Sequence, residues 1–179
     1  MKKLTVIFVC LGNYCRSPMA EAIFSTLIEN NAHTANFDVS SAGNKDWDIG
    51  LRPDPRTLAL IDQHGYHLSP HKRACKITKD EIRTADYIIA MSQRVADELG
   101  NAENVHLLLD FVPGSPTKDV PDPYPTDTFP QAFSLIEEGV KAFYSYLCRE
   151  GSQMAFGVNL QNLVHRSRQT AKPADDRQN

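Results

Sequence analysis

The sequence predicts an α/β protein of three layers, with a four-stranded parallel sheet covered by helices on both faces. Two observations lead there. Short apolar, β-branched runs such as Leu4 to Val9 and Asp86 to Met91 alternate with segments whose apolar residues recur at helical spacing. That alternation favours parallel strands joined by helical crossovers. The first strand also runs directly into Cys10-Leu11-Gly12-Asn13-Tyr14-Cys15-Arg16-Ser17-Pro18, a tight loop that opens a helix. Ligands of open parallel sheets sit at the carboxyl ends of strands, which is where Cys10 falls.

Taken in order, Leu4 to Val9 reads as a buried strand. Pro18 stands in a first helical turn, and Ala20, Ile23, Phe24, Leu27 and Ile28 give that helix one buried face. Asn36 to Ser41 alternates weakly and ends in Ser41-Ala42-Gly43, a second strand entering a loop over 43–54. Asp54-Pro55 caps a second helix, with Leu58 and Ile61 inward and Gly65 as its stop. After a His- and Lys-rich loop, Lys79 to Thr84 forms a short helix, Asp86 to Met91 the third strand, and Gln93 to Leu99 a helix stopped by Gly100. Val105 to Leu109 is the fourth strand. Residues 110–127 carry five prolines and are expected to be irregular. A last helix shows Phe133, Ile136, Val140, Phe143, Tyr144 and Leu147 on one face.

The loop after the first strand carries the chemistry. Successive backbone N–H groups in such a loop point inward, and the helix end adds partial positive charge, so the loop is built to hold an oxyanion. A thiol facing that field is favoured as the thiolate, its nucleophilic form. Arg16 offers a planar fork of donors to two phosphate oxygens. Thiolate, arginine and an amide cradle over Leu11, Gly12, Asn13, Tyr14 and Cys15 describe a phosphate-binding loop poised for attack on phosphorus. A Walker-type nucleotide loop is excluded, because no Gly-Lys-Ser/Thr follows the strand. Asn13 tolerates the left-handed backbone that a tight anion loop demands. Ser17 has two readings that are compatible, donation to the Cys10 sulfur and capping of the helix. Cys15 also has two, a partner for a Cys10 disulfide after oxidation or a small residue packed behind the loop.

The pattern Cys-x5-Arg-Ser within CLGNYCRSPMAE resembles the low-molecular-weight protein tyrosine phosphatases, and the resemblance covers about residues 4–148. It implies hydrolysis of phosphotyrosine or a similar aryl phosphate through a phosphocysteine intermediate, with no metal and no cofactor. It assigns Cys10 as nucleophile, Arg16 as transition-state clamp and Asp122, in Asp122-Pro123-Tyr124, as the general acid that later activates water. Read without it, an aspartate between prolines is a turn former. The resemblance makes Tyr124 and Trp47 walls of the substrate cleft, and has Asn13, Ser41 and His71 brace the loop. The chain departs from it in places. Pro125 stands where many relatives have a second aromatic, and Ser92 where many have an aspartate that holds the loop arginine. Tyr14 is bulkier than the usual residue and differs from the threonine of relatives that accept phosphoarginine. Thiol-dependent arsenate reductases and protein arginine phosphatases share the fold and are the alternatives. The reductases relay a disulfide to two closely spaced cysteines, whereas here Cys75 stands alone and Cys148 is distant in sequence.

The totals bound the rest. A chain of 179 residues, 41% hydrophobic and 23% charged, is ordinary for a single globular domain, here 1–149. A net charge of −3 argues against a general nucleic-acid binder. No apolar run is long enough to span a membrane, and the run after Met1-Lys2-Lys3 is the first strand, not a secretory signal. Four cysteines and a nucleophilic thiol suit a reducing compartment, the cytoplasm. A monomer or weak dimer is expected, with a phosphotyrosine protein or small aryl phosphate as its partner and neither nucleic acid nor membrane. Residues 150–179 read as a polar, solvated tail in which Leu160, Leu163 and Val164 offer one amphipathic turn.

Overall fold

A computed structural model describes residues 3–100 and 102–155, the last five as backbone only. The tail's Leu160, Leu163 and Val164 lie outside the described residues. The chain falls into two units, Met1–Tyr144 and Ser145–Asn179. The first holds the sheet and everything described below.

Four strands, β1 (Leu4–Cys10), β2 (Phe37–Gly43), β3 (Tyr87–Ala90) and β4 (Val105–Leu107), pair in the order β2-β1-β3-β4, all parallel. The first crossover leads from β1 to one side and the later strands add on the other. The switch point where ligands bind in such sheets therefore lies at the carboxyl end of β1. Register sharpens this, since Cys10 pairs with Gly43, so both strands deliver their last residues to the same edge.

Alternation along β1 explains the layers. Phe8 faces α1 (Arg16–Asn30), its ring 5.6 Å from that of Phe24. Phe24 in turn meets Phe37 at 5.4 Å and Phe143 of α5 (Phe129–Ala155) at 5.6 Å. Ile7 and Val9 point the other way, into a cluster with Ile88, Ala90, Leu107 and Val95, Ala96 of α4 (Gln93–Glu98). Each fully buried side chain of this size contributes about 1.5–3 kcal/mol. The remaining helices are α2 (Pro55–Gln63), which packs beside α1, and α3 (Lys79–Thr84). Asp54 caps α2 and Thr78 closes a capping box with Glu81 on α3.

Two local expectations are corrected. The fourth strand stops at Leu107, and Leu108–Phe111 winds into a 3₁₀ turn in which Leu108 and Leu109 are both buried. On α2, Thr57 and not Leu58 shares full burial with Ile61, because Thr57 Oγ1 is turned to donate to the Cys15 carbonyl at 3.5 Å. A further 3₁₀ turn, Thr34–Asn36, precedes β2 in a stretch without helical periodicity.

Gly43 positions the site. A Cβ there would stand 2.7 Å from the Leu11 carbonyl oxygen and 2.9 Å from the Gly12 carbonyl carbon, both rigid backbone. Gly43→Ala is expected to push the loop off β2, at a cost of about 1–3 kcal/mol typical of overpacking. Urea unfolding checks this, and an unchanged midpoint would mean that the loop yields freely.

Candidate active site

The loop between β1 and α1 is fastened from outside by its carbonyls. Asn44 N–H donates to the Cys10 oxygen at 3.0 Å, Lys45 N–H to Leu11 at 2.9 Å, and Asp54 N–H to Tyr14 at 3.0 Å. The Cys15 oxygen accepts from Thr57. In a planar trans peptide the following N–H points opposite to the carbonyl. The N–H groups of Leu11, Gly12, Cys15 and Arg16 are thereby turned inward, toward a cavity of about 220 Å³ that these residues line with Cys10, Tyr14, Trp47, Asp48, Asp122 and Tyr124. The start of α1 supplies partial positive charge at the same place.

Asn13 makes the turn possible and locks it. Its φ is +57°, in the left-handed region that Asn tolerates. Fully buried, its Nδ2 donates to Ser17 Oγ at 2.9 Å and Ser41 Oγ at 2.8 Å, and its Oδ1 accepts from Cys75 N–H at 3.2 Å. Ser17 Oγ lies 3.1 Å from Cys10 Sγ and 3.3 Å from the Ala42 oxygen. A thiolate accepts only, so with Cys10 ionised the hydroxyl proton turns to sulfur. Of the two readings of Ser17, capping fails, since α1 begins with no side-chain cap at Cys15.

The bracing continues through residues the sequence did not single out. Ser41 donates to Glu21 Oε2 at 2.6 Å, and Lys72 Nζ contacts the same oxygen at 2.8 Å and the Ser41 carbonyl at 2.7 Å. His71, expected in this role, is exposed, and its backbone N–H turns to Ser69 Oγ. Its neighbour Lys72 occupies the buried side because adjacent loop residues point in different directions.

Arg16 is 4% exposed. Its Nη1 donates to the Val120 carbonyl at 3.0 Å and its Nη2 to Asp122 Oδ2 at 3.1 Å. The loop holding Asp122 is therefore drawn over the cavity by the arginine at its floor. Tyr124 and Trp47, 58% and 62% exposed, flank the mouth, and the Tyr14 and Tyr124 rings meet edge-on with centroids 6.2 Å apart. Asp48 is a lining residue without a sequence signal, an aspartate in a polar loop. A Cβ on Gly12 would collide with its carboxylate at 2.0 Å, and burial pushes its carboxyl above the usual range. Among the described residues no group of three or more His, Cys, Asp or Glu side chains is placed to hold a metal ion.

The family model for low molecular weight phosphotyrosine protein phosphatase matches residues 5–153. The chain belongs to that family. It is 35% identical to the low molecular weight protein-tyrosine-phosphatase YfkJ of Bacillus subtilis, over 82% of this chain and 97% of that one. The crystal structure of YfkJ superposes with a TM-score of 0.80 at 34% identity, covering 84% of this chain and 98% of the other. The low molecular weight phosphotyrosine protein phosphatase of Schizosaccharomyces pombe is 39% identical over 69% of this chain and 82% of its own length. A Drosophila arginine phosphatase matches with a TM-score of 0.73 at 30% identity, covering 79% and 96%.

Ser92, standing where the resemblance leads one to expect an aspartate that holds Arg16, has another part in this structure. Its hydroxyl accepts from Val95 N–H at 3.4 Å and caps α4, while a backbone oxygen, that of Val120, holds Arg16.

Burial pushes the Cys15 thiol from an ordinary 9.0 up to about 12, with the negative charge of Asp54 adding to it. The folded protein thus holds the Cys15 proton through a range where the unfolded chain releases it, so stability falls as pH rises from about 9 toward 12. Cys15→Ala is expected to flatten part of that decline, read from urea midpoints of both proteins at pH 8 to 10. In native protein at pH 8, Cys15 should also resist iodoacetamide, as mass spectrometry of alkylated peptides will show.

Proposed function

We propose that this protein hydrolyses phosphotyrosine, or a similar aryl phosphate, through a phosphocysteine intermediate. The observation that carries the reading is the meeting of Cys10, Arg16 and Asp122 on one cavity whose floor is a ring of inward backbone amides. Cys10 sulfur attacks phosphorus in line, and the bond to the leaving oxygen breaks as the sulfur–phosphorus bond forms. Asp122 transfers its proton to that oxygen, so a neutral phenol departs. Charge gathering on the three equatorial oxygens meets the amides and the fork of Arg16. Asp122, now a carboxylate, takes a proton from water as the water attacks phosphorus. The sulfur–phosphorus bond breaks, inorganic phosphate leaves, and the returning thiolate accepts the Ser17 proton as a hydrogen bond. Substrate phosphate first displaces Asp122 from Arg16, and the freed carboxylate takes a proton from solvent to become the acid.

The aromatic wall of Tyr14, Tyr124 and Trp47 supports an aryl group in the cleft over the guanidinium of phosphoarginine. The arsenate reductase relay needs two further closely spaced cysteines, and beyond Cys10 and Cys15 the chain offers only Cys75 and the distant Cys148. We place the enzyme in the cytoplasm, because the four free cysteines, Cys10 among them, suit a reducing compartment. The chemistry calls on side chains, backbone amides and water.

A panel of phosphotyrosine, phosphoserine and phosphoarginine peptides, with Cys10→Ser as a trap, tests the proposal. Phosphotyrosine is expected to be turned over fastest by the wild type and held without turnover by Cys10→Ser. Preference for phosphoarginine, or substantial turnover by a natively folded Cys10→Ser, would overturn it. Asp122→Asn should lower kcat/KM by roughly 10²–10⁴ for weakly acidic phenols and much less for p-nitrophenol.

A further inference from the structure

Arg56 lies outside the cavity lining and yet joins two of its sides. Its backbone N–H and Nε donate to Asp54 Oδ1 at 2.8 and 3.0 Å, and its Nη2 to Asp54 Oδ2 at 2.8 Å. Asp54 is 3% exposed, and its own N–H is the donor that fastens the Tyr14 carbonyl of the phosphate-binding loop. The remaining nitrogen, Nη1, donates to Asp127 Oδ1 at 2.8 Å, 71 positions along the chain. The guanidinium also lies 4.1 Å from the centroid of the Phe129 ring and 5.5 Å from that of Tyr124.

These contacts bracket Asp122. Upstream, Val120 N–H is fixed to the Met91 carbonyl at 2.9 Å, where β3 ends. Downstream, Tyr124 N–H donates to Asp122 Oδ1 at 3.2 Å and Thr126 Oγ1 to the Asp122 carbonyl at 3.3 Å. Asp127 then turns in a left-handed conformation, φ +55°, before Phe129 starts α5. Arg56 grips this downstream half at a ring, a carboxylate and a second ring. The resting link between Asp122 and Arg16 is given up when a phosphate dianion takes the Arg16 fork. From that moment the loop's downstream hold on the phosphate-binding loop runs through Arg56 and the edge-on contact of Tyr124 with Tyr14.

We propose that Arg56 is a positioning residue for the general acid: it clips the loop carrying Asp122 to the phosphate-binding loop and sets how closely Asp122 approaches the leaving oxygen. The proposal rests on reading Asp122 as that acid. It differs from a purely structural role in what it predicts for leaving groups. A misplaced acid harms phenols that need a proton and spares those that leave without one.

The test compares wild type, Arg56→Met, Asp122→Asn and the double variant on phenyl phosphate and p-nitrophenyl phosphate. The value read is kcat/KM, which reports the steps up to phosphocysteine formation. Arg56→Met keeps an apolar stem over Phe129 and loses the fork. It should lower kcat/KM for phenyl phosphate by roughly 10- to 100-fold, the scale set by about an ångström of misplacement. For p-nitrophenyl phosphate the fall should be under about threefold, because an acidic phenol needs little protonation. In the Asp122→Asn background the same change should add almost nothing for either substrate, a coupling that only a shared function produces. Asp127→Asn, at a side chain 77% exposed, takes the charge from one of the three downstream contacts without touching the Asp54 cap and should show the same selective loss in smaller degree. If Arg56→Met fails to fold, Asp127→Asn decides alone. A uniform loss across both substrates, an unchanged rate, or full additivity with Asp122→Asn overturns the proposal. A single Asp122→Asn variant that shows no leaving-group dependence marks a different failure, that of Asp122 as the acid, and overturns both readings together.

Discussion

The cleft depends on how the backbone from Cys10 to Arg16 is turned. Its carbonyls are fastened outward to Asn44, Lys45, Asp54 and Thr57, so its amides face a common centre. This is a constraint of peptide planarity, and it converts four ordinary hydrogen bonds on the outside into an anion site on the inside. The close approach of Gly43, the left-handed Asn13 and the Glu21–Lys72–Ser41 bracing all serve to keep that turn in place. Burying Asn13 is affordable only because its donors and acceptor are engaged.

A buried arginine without an anion is costly, and in the resting protein Asp122 and the Val120 carbonyl meet that need. The arrangement makes the partner of Arg16 exchangeable. Asp122 is partly exposed, its side chain at 37%, while Arg16 is at 5%, so the guanidinium stays and the carboxylate is the group free to move. In the mechanism we propose, substrate phosphate competes for a site already shaped for oxygen, and release of the carboxylate couples binding to readiness of the acid. The same economy appears at Asp54, whose carboxyl is held below its ordinary value by hydrogen bonds from Arg56.

The sheet explains why these parts converge. Parallel register brings Cys10 and Gly43 to one edge, and Met91, just beyond β3, anchors Val120 beside them. Residues 110–127, which no periodicity orders, are held over that edge by contacts at Val120, Asp122, Tyr124 and Asp127.

By itself the sequence determined what neighbours in the chain can decide. β1, the phosphate-binding loop and α1 are contiguous, so their apolar periods, Asn13 and Pro18 carry the geometry locally, and Cys10 with Arg16 could be read at once. Asp122 was legible only through the resemblance, since a carboxylate between prolines has no local mark of an acid. Tertiary structure alone decided the rest. It chose Lys72 over the adjacent His71, because which of two loop residues faces inward depends on what the loop packs against. It gave Arg16 to a main-chain oxygen, that of Val120, and carbonyls bear no side-chain signature. Arg56 and Asp127 meet across 71 positions, and Asp48 reaches Gly12 from another loop. Such contacts form only when separate strands place their loops at one edge of the sheet, and that is information no stretch of this chain holds alone.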